Sequence, residues 1–293
     1  MTTTTRTTRT LEVPGATLTY DVRGPLPTVD GQPVLLLIGQ PMDASGFGTL
    51  ASFFPDRTVV TYDPRGLGRS VRSDGTTLHD PVQQAEDLHR LVGALESGPV
   101  DLFGSSGGAV TALQLVTAYP QDVRVVVVHE PPMLTVLPDA ELAVAASRRV
   151  DEIYQERGWG WGMAMFIALT SWQGEFTAGF GAEPADPATF GLPTQDDGSR
   201  DDPLMSGASA PVTSYVPDVP ALSAVATRVV VAAGIESRGI LTWRASEVLA
   251  GALGQELTVF PSNHGGFLGG EYGQQGEPEA FAARLREVLD AEV

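Results

Sequence analysis

The sequence predicts an α/β fold: a mostly parallel central sheet flanked by helices, with an inserted helical cap. Residues 34–38 form a continuous aliphatic run and 123–128 nearly so, as in strands buried on both faces. Segments with apolar residues at helical spacing separate such runs, and this alternation gives parallel strands with helices on both sides. Between about 134 and 220 the rhythm stops. The division expected is therefore a core of 1–133 and 221–293 with a cap at 134–220.

Taken in order, residues 1–10 are mostly threonine and lack the apolar centre of a secretory leader, so they read as a frayed tail. Residues 11–13 and 17–22 read as two short strands joined at Pro14-Gly15. The run at 34–38 ends at Gly39-Gln40-Pro41, a short helix is expected over 44–54, and the next strand spans 57–62. The loop Asp63-Pro64-Arg65-Gly66-Leu67-Gly68-Arg69-Ser70 lacks the third glycine of a dinucleotide motif. Asp80-Pro81 is a capped helix start, with the helix running to Leu95. Strand 100–103 leads into Gly104-Ser105-Ser106-Gly107-Gly108 and a helix carrying Val110, Leu113 and Val116. The strand at 123–128 stops at Glu130-Pro131-Pro132. In the cap, 139–157 reads as a helix and 159–172 as an aromatic and methionine-rich stretch, followed by a polar span through Asp202. The sheet resumes at 227–233, then come a helix at 241–253, a strand at 256–260 and a final amphipathic helix at 277–289.

Composition removes several classes of function. With 293 residues the chain can bury the core of one domain with an insertion. A formal net charge of −18 argues against a nucleic-acid partner. No apolar run approaches the ~18 residues of a membrane span. The absence of cysteine removes disulfides, thiol nucleophiles and thiolate metal sites, and is compatible with the cytoplasm, the location expected. All 18 basic residues are arginine, so neither a Schiff base nor a Walker lysine can form. The four histidines are dispersed, without metal-ligand spacing. No cofactor and no metal are expected, and the partner is a small-molecule substrate for a monomer or homo-oligomer.

The chemistry centres on Ser106. In the G-x-S-x-G turn small residues two before and two after the serine let strand and helix pass, and only Ser106 has glycine at both places, Gly104 and Gly108. A serine nucleophile needs a base, and histidine suits that role near neutral pH. His79 and His89 precede the turn and read as surface residues; His129, at a strand end, reads as structural. His264 follows the last strand in a glycine-flanked loop and is the expected base. Because neighbouring strand residues point to opposite faces, His129 and Glu130 are not expected both to face the site.

Serine turn, strand rhythm, cap and late histidine resemble the α/β-hydrolase superfamily across nearly the whole chain. The loop from Tyr62 to Ser70 is also similar to that family, which makes Asp63 and Arg65 structural. In most members the catalytic acid lies three residues beyond a glycine after the next strand, but here Gly234-Ile235-Glu236-Ser237 puts Ser237 there. Glu236 and Glu130 are the two substitutes. The run through His129-Glu130-x-Pro is similar to the zearalenone lactone hydrolases, and this resemblance favours Glu130, with Glu236 the alternative. The resemblance to the superfamily also implies an oxyanion hole from the backbone N–H groups of Gly107 and Gln40, although Ile38-Gly39 departs from the usual His-Gly; a role for the Gln40 side chain stays open. Trp159, Trp161, Met163, Met165, Phe166 and Trp172 are candidates for an apolar pocket under the cap, or for its packing.

The activity these readings imply is cofactor-free hydrolysis of a carboxylic ester or lactone of an apolar small molecule through an acyl-enzyme. The alternatives are C–C bond hydrolysis or a cyclisation on the same triad, and a non-catalytic ligand-binding protein that keeps the fold. Dehalogenation is disfavoured, since the serine position would then hold a carboxylate.

Overall fold

Four strands at the centre of the sheet carry few polar residues, and each is covered on both faces. The computed structural model describes residues 6–29 and 31–291. Its first half contains strands β1 (Arg6–Val13), β2 (Ala16–Arg23) and β3 (Leu35–Ile38), helix α1 (Gly48–Ser52), strands β4 (Val59–Tyr62) and β5 (Val71–Arg72), helix α2 (Pro81–Leu95), strand β6 (Val100–Ser105), helix α3 (Gly107–Ala118) and strand β7 (Val123–His129). Between β7 and β8 lie α4 (Ala140–Arg157), α5 (Trp159–Thr170), α6 (Ala210–Thr213) and α7 (Val219–Ala224). Strand β8 (Arg228–Gly234), helix α8 (Leu241–Ala252), strand β9 (Thr258–Phe260) and helix α9 (Pro278–Asp290) complete the described chain.

The strand order is β1-β2-β4-β3-β6-β7-β8-β9, with β5 on β2. Pairing is parallel from β4 through β9 and antiparallel where β2 meets β1, β4 and β5. Alternate residues of one strand feed two core layers, as the period of two requires. Leu36 and Ile38 of β3 pack with Leu88 and Leu91 of α2 and Val110 and Leu113 of α3. Leu35 and Leu37 pack on the other side with Leu50 of α1 and Phe281 and Leu285 of α9. Asp80 accepts from Val82 N and starts α2 as the sequence predicts.

The frayed-tail expectation is corrected at its inner half. Residues 6–10 belong to β1, paired along its length with β2, while residues 1–5 lie outside the described residues. β-branched threonines suit an edge strand, and Thr8 Oγ1 donates to Asp21 Oδ1 at 2.6 Å. Segment 44–54 is a 3₁₀ turn at Ala44–Phe47 running into α1 rather than one helix. Arg65, 2 % exposed, ties the loop after β4 to α2 and to the first hairpin, donating to both carboxylate oxygens of Asp87, to Asp74 and to the Pro14 carbonyl. Among the described residues no helix is long and apolar enough to cross a membrane.

The crossing of β6, α3 and β3 leaves no room for side chains. A Cβ on Gly108 would stand 2.6 Å from the Ile38 carbonyl oxygen, and one on Gly104 would stand 2.8 Å from the Gly108 carbonyl oxygen. Gly93, on the outer face of α2, meets nothing within 4 Å. Gly108→Ala is therefore expected to destabilise by about 2 kcal/mol or more through overpacking against backbone. Gly93→Ala should stabilise by up to about 1 kcal/mol. Urea unfolding of the two variants measures both.

Candidate active site

Glycines at 104 and 108 let the chain turn sharply between β6 and α3, and Ser106 occupies the apex. Its backbone (φ 56°, ψ −127°) lies outside the regions open to most residues without strain. Ser106 N donates to the His129 carbonyl at 3.0 Å, which fixes the apex against the end of β7. Glu130 follows at once, so the serine and this carboxylate leave neighbouring strands at the same edge of the sheet.

Glu130 has no solvent exposure, and three elements supply its donors. Oε1 accepts from Gly234 N at 2.9 Å, and Oε2 accepts from Thr242 Oγ1 at 2.7 Å and faces His264 Nδ1 at 2.7 Å. Burial alone would raise its pKa; the hydrogen bond from His264, the His264 and His129 charges and the Thr242 hydroxyl outweigh this and hold the carboxyl at about 2. An ionised Glu130 fixes His264 as the tautomer with the proton on Nδ1, which leaves Nε2 as an acceptor. The His264 side chain remains 42 % exposed, so the ring reaches out of the core while its partner stays inside. No hydrogen bond joins Ser106 Oγ to His264 among the described residues.

Glu236 occupies a different environment. It is exposed, its backbone N–H donates to the Ser262 carbonyl, and among the described residues its carboxylate accepts only from Asn263 Nδ2, at 3.4 Å. Ser237, where most of the resembling family carries its acid, is buried. Gly234 serves the site in two ways. It donates to Glu130, and a Cβ there would stand 2.6 Å from the Ser262 carbonyl oxygen in the loop that carries His264.

Strand alternation does not separate His129 from Glu130. Glu130 adopts a left-handed backbone, φ 51°, just where β7 ends, so the period of two lapses. His129 Nε2 comes to 3.9 Å from Glu130 Oε1, and its ring stacks 6.2 Å from that of His264. The ring is fully buried among Phe103, Phe260, Phe267 and Phe281, with Nδ1 3.2 Å from Ser105 Oγ. Burial pushes it down to about 4, against the pull of Glu130. His79 is likewise not a surface residue: its N–H donates to the Ala208 carbonyl, and burial, with Arg72 nearby, lowers it to about 4. His89 is half-exposed, 2.6 Å from Asp122.

At the expected oxyanion hole, Gly107 N–H donates to the Gln40 carbonyl at 3.2 Å. Gln40 is 3 % exposed, and a Cβ on Gly107 would meet Gln40 and also Val212 of α6, at 3.3 Å. α6 is therefore the element between β7 and β8 that reaches the serine turn. The aromatic stretch packs elsewhere: Trp159, Trp161, Met163, Met165, Phe166 and Trp172 join a cluster with Ile153 and Tyr154 of α4 and Leu241 of α8. Trp159 donates to Asp202 and Trp161 to the Thr194 carbonyl. Met165 and Trp172 line a cavity of about 420 Å³ with Phe180 and Glu183, and neither Ser106 nor His264 borders it. Thr242 carries no sequence signal for the site: it lies 112 residues from Glu130, and nothing local marks it.

A strained serine between strand and helix, at one edge of a mostly parallel sheet covered on both faces, defines the α/β-hydrolase fold. The profile of the alpha/beta hydrolase family matches residues 34–284, and the chain belongs to that family. An uncharacterized hydrolase of Bacillus subtilis (strain 168), YraK, is 30% identical over 288 residues, 97% of this chain and 96% of that protein. An esterase from Exiguobacterium antarcticum shares the fold with a TM-score of 0.66 at 18% identity, over 95% of this chain and 97% of its own. The enol-lactonase from Burkholderia xenovorans LB400 does so with a TM-score of 0.65 at 16% identity, over 97% and 100%.

Two histidines held neutral by burial make stability depend on pH. In the unfolded chain they take up protons below about pH 6.5; in the folded protein they do so only near 4. Their contribution is complete above pH 6.5 and is lost as the pH falls toward 4, by roughly 2 kcal/mol per ring between pH 6.5 and 5. His129→Phe should remove about half of that slope, read by urea unfolding at pH 7 and pH 5. An unchanged slope would place the proton uptake elsewhere.

Proposed function

We propose that this protein is a cofactor-free serine hydrolase that cleaves a carboxylic ester or lactone of an apolar small molecule. The observation that carries the reading is the pairing of His264 Nδ1 with a fully buried Glu130 at the strand edge where Ser106 forms its strained turn. Ser106 Oγ attacks the acyl carbon, and His264 Nε2 takes its proton and then returns it to the leaving oxygen. Glu130 holds the imidazole in that tautomer and stabilises its protonated form. Water then releases the acyl group with His264 again as base.

Glu130 is preferred to Glu236 as the acid on electrostatic grounds. A solvent-screened carboxylate contributes little to a neighbouring charge, whereas one fully desolvated and held by Gly234 and Thr242 acts at full strength on the imidazole. The apolar character of the substrate is drawn from Val212, which lies at the turn beside the nucleophile. The ester and lactone classes are supported by the esterase and the enol-lactonase that share the fold.

Turnover of a panel of 4-nitrophenyl esters and aryl lactones tests the assignment. Ser106→Ala should lose about a thousandfold or more in kcat without unfolding. Glu130→Gln should lose at least about a hundredfold, while Glu236→Gln stays within about threefold. A fluorophosphonate should add one adduct, at Ser106, by intact mass and peptide mapping. A folded protein that binds these esters with neither turnover nor adduct would instead be a ligand-binding member of the fold.

A further inference from the structure

His129 is a buried titratable group that the acyl-transfer steps leave unused. Its ring has no exposure, and Nε2 has no hydrogen-bond partner among the described residues. A polar atom buried without a partner is unfavourable and calls for a reason. Here the surroundings supply one. Nε2 stands 3.9 Å from Glu130 Oε1, the carboxylate oxygen that Gly234 N also meets, and Nδ1 lies 3.2 Å from Ser105 Oγ of β6. A neutral imidazole carries one proton. Placed on Nδ1, it would turn the Nε2 lone pair toward an ionised carboxylate; placed on Nε2, it turns an N–H dipole there and leaves Nδ1 to accept from the Ser105 hydroxyl. The second arrangement satisfies both neighbours. At 3.9 Å the contact is one of charge and dipole rather than a hydrogen bond, yet neither side chain is exposed to water, which would weaken it.

We propose that His129 is a positioning residue for the pair of Glu130 and His264: its Nε2–H faces Glu130 Oε1 and shares the carboxylate charge with Gly234, Thr242 and His264. The proposal rests on the serine-hydrolase reading and deepens it. To act as base, His264 must start each half-reaction with Nε2 unprotonated, and a buried carboxylate on Nδ1 favours the protonated ring. A further dipole on Oε1 draws part of that charge away, so the imidazole is held in place without being locked in its protonated form. The ionisable groups acting on Glu130 are His264 and His129, and those acting on His129 are Glu130 and His264. Glu236, just after β8, is exposed and engaged with Asn263. The phenylalanines that enclose the His129 ring bring no charge to it.

His129→Phe deletes both nitrogens and keeps a ring in the cage. With the dipole gone, more of the Glu130 charge falls on His264. The acidic limb of kcat/KM, on the 4-nitrophenyl ester best turned over, should then move to higher pH by about half a unit to one unit. On the plateau kcat should stay within about threefold. His129→Gln places an amide N–H where Nε2 was and should return the limb most of the way. His129→Asn, whose amide reaches only to the place of Nδ1, should behave as His129→Phe does. Urea unfolding at pH 7 checks that each variant is folded; where His129→Phe is not, His129→Gln and His129→Asn make the same comparison. A limb that stays at the wild-type pH, or moves to lower pH, in His129→Phe and His129→Asn overturns the proposal. A limb displaced equally in all three variants makes His129 a packing residue and also overturns it. In both cases turnover abolished by Ser106→Ala leaves the serine reading standing. Turnover that survives Ser106→Ala overturns the serine reading and the His129 assignment with it.

Discussion

A carboxylate with no exposure to water can stay charged only if the protein replaces the solvent it has lost, and at Glu130 three separate parts of the chain do so. The Gly234 amide comes from the end of β8, the Thr242 hydroxyl from the first turn of α8, and the imidazole of His264 from the loop after β9. Removing any one of them would leave a buried charge partly uncompensated, which is far costlier than losing a surface contact. The geometry of the site is thus tied to the packing of β7, β8 and α8, and the elements cannot shift independently without exposing that cost.

The same edge of the sheet concentrates other unfavourable conformations. Ser106 and Glu130 both sit at positive φ without being glycine, at the ends of neighbouring strands β6 and β7. Each departure re-aims a side chain that a regular strand or helix would have pointed elsewhere. At Glu130 it also undoes the alternation that would have kept His129 away, so a neutral imidazole lies beneath the His264 ring within a cage of phenylalanines. The surrounding core of aliphatic strands and aromatic rings supplies the rigidity that makes such strain tolerable.

The helices between β7 and β8 contribute unequally to the site. The aromatic stretch from Trp159 to Trp172 has the composition of a ligand pocket, yet its indoles are engaged with Asp202, Thr194 and Glu175. A stretch that is hydrophobic nearly all round buries itself first, and only its spacing against neighbours decides whether any face is left for a ligand. The short helix α6, inconspicuous in sequence, is what reaches the serine turn through Val212.

Local pattern alone determined the layered α/β architecture, most strand and helix positions, the Ser106 turn and the late histidine, because aliphatic runs, helical spacing and glycine requirements are properties of neighbouring residues. Residues 6–10 carry no local mark of their strand, since threonine serves an edge strand as readily as a tail and only pairing with β2 distinguishes the two. Which carboxylate meets His264 was decided by tertiary structure: Glu130 and Glu236 both follow strands, and their burial and donors come from segments far away in the chain. So too were the buried state of His79 and the His129 cage. Desolvation and hydrogen-bond satisfaction are sums over everything that packs around a group, and no window of sequence contains those neighbours.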